Sequence, residues 1–199
     1  MCPWLFPSTP GTLTPMLAYV FWHWPAAGVP AREYEQLLVA FHQALAEAPA
    51  TGFQGSTSFR IDGYAPWLGG SPAYADWYVV DGSSALDILN EAAVSSTRRG
   101  PHDLLARATG AGAGSLLQLR NAGANLAGAR WASWLSKPKG MPYDAFYQTL
   151  DQVCAEAAVS LWRRQMVLGP TPEFGLLSRS RLELPPELDS LTLRIEPIC

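Results

Sequence analysis

Charge is scarce in this chain, and so is cysteine. Only 14 Lys and Arg and 17 Asp and Glu occur among 199 residues, a formal net charge of −3. The basic residues are scattered, and their densest spots are the pairs Arg98–Arg99 and Arg163–Arg164. The electropositive stripe of a nucleic-acid binder is therefore missing, and no nucleic-acid partner is expected. The three cysteines, Cys2, Cys154 and Cys199, are far apart and odd in number. They form neither a disulfide framework nor a metal-ligand spacing, which fits a reducing cytoplasm. The longest apolar run, from Met16 to Trp24, is interrupted by His23 and stopped by Pro25. It is far short of the ~20 residues of a membrane-spanning helix and lacks the positive flank of a signal peptide, so no membrane partner is expected. The glycines at 110, 112 and 114 have no Lys-Ser/Thr ending, and no Cys-x-x-Cys, His-x-x-x-His or Gly-x-Ser-x-Gly occurs. Phosphate-loop, metal-site and serine-hydrolase chemistry have no motif to rest on, and neither a metal nor a cofactor is expected.

Tryptophan, by contrast, is abundant. Eight indoles in a chain that is 48% hydrophobic need a core, an interface or a pocket to pack in. The first fifteen residues, rich in Pro and Thr, read as a disordered leader, which leaves Met1 and Met16 both as candidates for the native start. From Leu17 to Trp24 both alternating rows are large: Tyr19, Phe21 and His23 form one, Val20, Trp22 and Trp24 the other. Such a strand must be covered on both faces. Between Pro30 and Pro49, the recurrence of Tyr34, Leu37, Leu38, Phe41 and Leu45 predicts a helix over about 31–47. Phe53 to Ile61 alternates apolar Phe53, Thr57, Phe59 and Ile61 with polar Gln54, Ser56, Ser58 and Arg60, which predicts a half-buried strand. A long loop follows, then a short strand over Trp77 to Asp81 and a helix carrying Leu86, Ile88, Leu89 and Ala92. Arg98 to Asp103 reads as an irregular patch before a short helix. The glycines after it read as punctuation, and Leu116 to Arg120 as a strand. The order is βαββαβ, a ferredoxin-like unit.

The remaining residues begin the same order again. Ala129 to Leu135 reads as a strand. A long helix has Phe146, Leu150, Val153, Ala157 and Leu161 on one stripe, and strands follow over Phe174 to Leu184 and Leu191 to Ile195. A shift of 112 lays Trp22, Pro30, Tyr34 and Leu38 on Trp134, Pro142, Phe146 and Leu150. A shift of 121 lays Phe53, Arg60 and Ile61 on Phe174, Arg181 and Leu182. The expected division is a leader over 1–15, a ferredoxin-like unit over 16–125 and a second, shorter one over 126–199 with no room for its second helix. The expected fold class is α+β: tandem ferredoxin-like units, the second degenerate, with sheets pairing into an α/β barrel.

This order, the strand Tyr19-Val20-Phe21-Trp22-His23-Trp24 and the partial repeat from Trp131 resemble the dimeric α/β-barrel superfamily. The segment from Asp76 through Asn90-Glu91 to Pro101-His102-Asp103 also resembles a bacterial family with no assigned function. The superfamily contains small monooxygenases, lactone isomerases and haem proteins. The resemblance thus implies either a cofactor-free oxygenase or isomerase, or a haem-binding protein in which His23 is the axial ligand. It also implies a homodimer. It carries over no catalytic residue, and fold alone does not select a reaction.

The candidate site residues come from the residues themselves. His23, at a strand end among indoles, is a candidate general base, against the plainer reading of a ring bonded to backbone. His102, in a polar connection beside Asp103, is a candidate proton shuttle, against a helix-capping role. Trp22 and Tyr78 are candidate ligand contacts. Arg60 and Arg98 could orient an anionic ligand. His42, beside Phe41, reads as a boundary residue. Two functional classes follow: a small-molecule protein with an aromatic pocket between sheet and helices, or a non-enzymatic oligomer whose tryptophans are core and interface.

Overall fold

The computed structural model describes residues 16–123, 125–165 and 169–199. The expected disordered leader, Cys2 and the question of the start at Met16 lie outside or at the edge of the described residues. The element order is β1 (Leu17–Pro25), α1 (Ala31–Glu47), β2 (Phe53–Asp62), β3 (Ala73–Val80), α2 (Ser83–Ala93), α3 (Ser96–Ala108) and β4 (Thr109–Asn121). It continues with β5 (Trp131–Leu135), α4 (Tyr143–Glu156), β6 (Ser160–Arg164), β7 (Phe174–Ser178) and β8 (Ser190–Pro197). The eight strands close into a barrel in the order β1-β3-β2-β8-β5-β7-β6-β4. Its first half is the sheet β4-β1-β3-β2 and its second is β8-β5-β7-β6, the same order with no helix between β7 and β8. The seams β2–β8 and β4–β6 are antiparallel, so both sheets and both seams come from one polypeptide.

The interior is filled with indoles. Trp22, Trp77, Trp134 and Trp162 project inward from four strands, each 1–3% exposed. Trp134 meets Trp22 edge-on at 5.5 Å between centroids and stacks near Trp77 at 6.3 Å, while Trp77 meets Trp162 at 5.3 Å. Half-buried Trp67, from the loop between β2 and β3, closes on Trp134 at 5.9 Å. Gly175 pairs with Trp134 in register, and a Cβ there would stand 2.7 Å from the indole. The residual void among these residues is about 10 Å³, at most one water. The barrel is a packed core rather than a ligand chamber.

The other two clusters lie outside the barrel. One sits between the first sheet and α1–α3, the other between the second sheet and α4. The two-faced β1 is thus covered twice, with Ala18, Val20 and Trp22 inside and Leu17, Tyr19, Phe21 and His23 toward the helices. β3 is buried along its whole length.

Several local expectations are corrected. Arg98 to Asp103 belongs to α3, which carries Pro101 inside it. The glycines from 110 to 114 are not punctuation but half of the 13-residue β4. They lie against the bulky outward row of β1, Gly112 opposite His23 and Gly114 opposite Phe21. Leu161 is in β6 rather than on the stripe of α4, and β7 ends at Ser178, beyond which Leu182 and Leu184 pack without pairing. The counterpart of β2 in strand order is therefore β6, not the segment at Phe174.

A Cβ on Gly112 would stand 2.5 Å from the Trp22 carbonyl oxygen and 2.5 Å from the Phe21 ring. Backbone cannot swing aside as a side chain does, so Gly112→Ala should cost about 1–3 kcal/mol. Gly100, inside α3 with nothing within 4 Å of its Cβ direction, is the control. The helical gain from a Cβ before Pro101 is offset by its crowding against the proline ring, so Gly100→Ala should change stability by less than about 0.5 kcal/mol. Denaturant titration of both variants tests this, and equal stability for Gly112→Ala and wild type would refute the close-approach account.

Candidate functional site

The outer face of the first sheet carries an unusual row of polar groups beneath the helices. β1 presents Tyr19, Phe21 and His23, and β3 presents Tyr74, Asp76 and Tyr78 beside them, with Phe21 opposite Asp76 and His23 opposite Tyr74. The rings form a ladder, Tyr19 on Phe21 at 6.5 Å and Phe21 on His23 at 5.1 Å. From α1, Tyr34, Leu38 and His42 descend at four-residue spacing onto this face, all buried. His42, expected at a boundary, is 4% exposed.

Asp76 is the centre. Its Oδ1 lies 3.1 Å from His23 Nε2 and its Oδ2 lies 3.5 Å from His42 Nε2, every side chain involved being at most 3% exposed. Each ring thus sets one nitrogen against one oxygen of the carboxylate. The Tyr78 hydroxyl donates to Asp76 Oδ2 at 2.8 Å. Burial alone would raise the Asp76 carboxyl, but the His23 and His42 rings outweigh it and hold the carboxyl well below the usual range. Asp76 is therefore a carboxylate. Burial first, and then Asp76 itself, push the Tyr78 phenol well up, so it stays a donor.

His23 Nδ1 lies 2.6 Å from the Tyr34 hydroxyl, which is 2.8 Å from Thr109 Oγ1, which in turn reaches the Leu105 carbonyl at 2.9 Å. Burial pushes the Tyr34 phenol up, so it remains protonated. The chain has two consistent proton arrangements. When Thr109 donates to Leu105, Tyr34 donates to Thr109 and His23 Nδ1–H donates to Tyr34. When Thr109 turns to Tyr34, Tyr34 donates to a bare His23 Nδ1. The two differ by one proton on His23, with only hydroxyl rotations between them.

A cavity of about 600 Å³ opens over this network, between the sheet and α1–α3. His23, Asp76, Tyr34 and Thr109 line its polar floor, and Gly112 and Ala111 keep the β4 side low. Its walls are Tyr19, Phe21, Phe41, Leu45, Leu89 and Leu105, and at the surface it meets His102 and the exposed Asp87 and Asn90. Among the described residues, no Lys or Arg lines it. Among the described residues no three His, Cys, Asp or Glu side chains are grouped to hold a metal ion, and no helix is long and apolar enough to cross a membrane.

The structure brings together three of the six residues singled out in the sequence. His23, Tyr78 and His102 all line this cavity. His102 sits at the mouth, its side chain 33% exposed and its Nδ1 3.1 Å from Asp103. Trp22 points the other way, into the barrel. Arg60 is on the outer face but away from the cavity, held by Glu35 at 2.7 Å and Glu196 at 3.1 Å. Two carboxylates already surround it, which leaves no charge for an anionic ligand. Arg98 ties the carbonyls of Ala92 and Ala48 together, joining the ends of α2 and α1. The residues the sequence reading passed over are Asp76, Tyr34, Thr109 and His42. Asp76 had a readable signal, as the lone charge in an eight-residue strand of otherwise apolar and aromatic residues.

No protein-family model and no curated protein matches the sequence. Solved structures do. A monooxygenase-like protein from Lactobacillus acidophilus NCFM superposes with a TM-score of 0.59 at 6% identity, over 92% of this chain and 95% of that one. A chlorite-dismutase-like protein gives 0.52 at 10% identity over 93% and 96%, and an anthrone oxidase-like protein 0.51 at 10% over 91% and 91%. At such identities the likeness concerns architecture, and it agrees with the strand order above: this chain shares the α/β-barrel fold of these structures, with both halves of the barrel supplied by one polypeptide.

Proposed function

We propose that this protein binds a small, largely apolar, uncharged ligand in the cavity outside the barrel and moves a proton on it. The observation that carries the reading is the cavity of about 600 Å³ whose floor is the His23–Asp76 pair. A buried imidazole backed by a buried carboxylate is poised to accept a proton, because the positive charge it gains is balanced at 3.1 Å. Aromatic walls favour a planar ligand, and the lack of Lys and Arg among the described lining residues disfavours an anionic one.

The ligand proton, from a hydroxyl or from carbon beside a carbonyl, passes to His23 through the Tyr34 hydroxyl. Tyr34 then gives its own proton to His23 Nδ1 and takes the ligand's. The electron pair left on the ligand makes a phenolate or enolate, and the imidazolium makes the counter-charge. Return of the proton to a different carbon is an isomerisation. With O2 as co-substrate, the enolate carbon forms a C–O bond, its electron pair takes O2 to the peroxide level, and the proton held on His23 passes to the outer oxygen to give a hydroperoxide, which is an oxygenation. Neither outcome needs a residue beyond those in the cavity to hold the proton.

Haem ligation by His23 fits poorly. One ring nitrogen is held by Tyr34 and the other faces Asp76, so neither is presented to an iron above the floor. His102 has a nitrogen to spare, but it lies at the mouth. The thiols of Cys154 and Cys199 are free, which supports a reducing cytoplasm as the protein's setting. A homodimer, if formed, would use a surface other than the barrel seams, which are closed internally.

The test is to incubate the protein with a panel of uncharged polycyclic phenols and enolisable aryl ketones in D2O, with and without oxygen. Wild type should exchange a carbon-bound proton, or consume oxygen, and His23→Ala should slow this by about 10²–10⁴-fold. Carboxylated analogues should not bind. A panel that binds without exchange or oxygen uptake would leave a pure binding protein; equal rates in His23→Ala would remove His23 as the acceptor.

A further inference from the structure

The side of Asp76 away from the cavity holds a second histidine. His42 does not line the cavity, yet it faces the same carboxylate as His23, one imidazole to each oxygen. Its ring is stacked on Tyr78 at 5.3 Å and 11°, and its Nδ1 lies 2.6 Å from the hydroxyl of half-buried Ser56 on β2. We propose that His42 is a positioning residue that sets the proton occupancy of His23 through the carboxylate the two rings share.

The argument is one of charge and of donors. Asp76 carries one negative charge and can balance one imidazolium. A second proton on the pair would place two positive charges around one carboxylate among side chains at most 3% exposed, so occupancy of one ring opposes occupancy of the other. Nothing else in the local network locks either ring in one state. The partner of His23 Nδ1 is the Tyr34 hydroxyl and that of His42 Nδ1 is the Ser56 hydroxyl, and a hydroxyl accepts from a charged ring or donates to a neutral one by rotating. The link between the rings is therefore electrostatic and runs through Asp76.

The other titratable groups near the pair stay out of this exchange. Tyr78 on β3 and Tyr34 on α1 are both pushed up by burial first and then by Asp76, and remain protonated. Cys199, at the exposed chain end beyond β8, has its thiol pushed up, first by partial burial of the sulfur and with Asp76 contributing, and it also stays protonated. His102 on α3 is separated from His42 by the Phe41 ring, which it meets edge-on at 5.6 Å. A proton taken by His23 from a ligand is thus felt at His42, and a neutral His42 is what leaves the carboxylate free to stabilise it. The catalytic meaning of this coupling rests on the reading of His23 as proton acceptor; the coupling itself does not.

The experiment is a titration of the full chain with ¹⁵N-labelled histidine, following the ring nitrogens of all three histidines by NMR from about pH 5 to about pH 9. His102, which does not face Asp76, is the reference. His23 and His42 should each show two inflections separated by about one pH unit or more, because each reports the other's proton. In His42→Gln, which cannot take a charge, His23 should collapse to one inflection. Single independent inflections for both rings in wild type, or rings that keep one state throughout, overturn the proposal without any variant being needed. An unchanged His23 curve in His42→Gln overturns it as well. Coupling found in a protein that fails the exchange assay would retire the functional reading and leave this one standing.

Discussion

Replacing Trp134 by alanine should lower the stability of the protein by about 3–5 kcal/mol, a Tm loss on the order of 10 °C in a chain of this size. Trp134 is 3% exposed and touches Trp22, Trp77 and Trp67, so its indole joins strands β1, β3 and β5 with the loop that closes the barrel. The void already present among these residues is about 10 Å³, which offers no slack for neighbouring groups to relax into. Collapse onto the gap is opposed further by Gly175, which has no side chain to shift inward from beneath the indole. Deleting the ring therefore leaves most of its volume empty, and cavity cost adds to lost burial. Urea denaturation with tryptophan fluorescence reads the effect. A loss under about 1 kcal/mol would mean that the interior tolerates a large hole, and the barrel would then have to be reconsidered as the place where a ligand sits.

The placement of the indoles also shows which parts of the architecture could be read in advance. The double row of β1, with Trp22 on one side and Phe21 and His23 on the other, already required cover on both faces, and the barrel provides it. Tyr34 to Leu45 marked α1 by spacing alone. What spacing could not show was pairing. The glycines of β4 carry no propensity for a strand, and they form one because β1 presents Tyr19 and Phe21 to that side and a side chain at Gly112 or Gly114 would collide with them. Leu161 and Trp162 continued the apolar pattern of α4, and it is their bonding to β4 and β7 that makes β6. Local sequence carries period and size, whereas tertiary pairing decides these segments.

The site divides in the same way. Histidines are few, so each could be weighed, and two of the three, His23 and His102, line the cavity. Their partners were hidden because each comes from a different element: Asp76 from β3, Tyr34 and His42 from α1, Thr109 from the start of β4. Sequence distance between His23 and Asp76 is large, and only the register that sets Phe21 opposite Asp76 brings them together. Arg60 and Arg98 were attractive because guanidinium groups recognise anions. Both are held instead by groups of this same chain, carboxylates for Arg60 and helix-end carbonyls for Arg98. A long cationic side chain in isolation says nothing about which carboxylate or carbonyl the fold will bring to it.

Asp76→Asn should be as damaging as the loss of the indole, for a different reason. The substitution keeps the shape and an acceptor for the Tyr78 hydroxyl, but removes the charge that faces His23 and His42. The one imidazolium that the pair can carry then has no counter-charge, and breaking a buried ion pair from one side costs about 3–5 kcal/mol. The pH dependence identifies the cause. Asp76 is held well below its ordinary range in the folded chain by the two histidines, against the opposing effect of burial. The folded protein therefore gives up this proton at lower pH than the unfolded chain does. Its contribution to stability is complete above about pH 4, the unfolded carboxyl value, and drains away as pH falls through the lower folded value. The asparagine variant has no such contribution to lose, so the two stability curves should lie farthest apart near neutrality and converge in acid. Chemical denaturation of both proteins at a series of pH values measures the gap directly. A gap that stays constant into acid would show that the asparagine fails for reasons of packing, and no gap at neutrality would show that the carboxylate does not hold the two histidines at all.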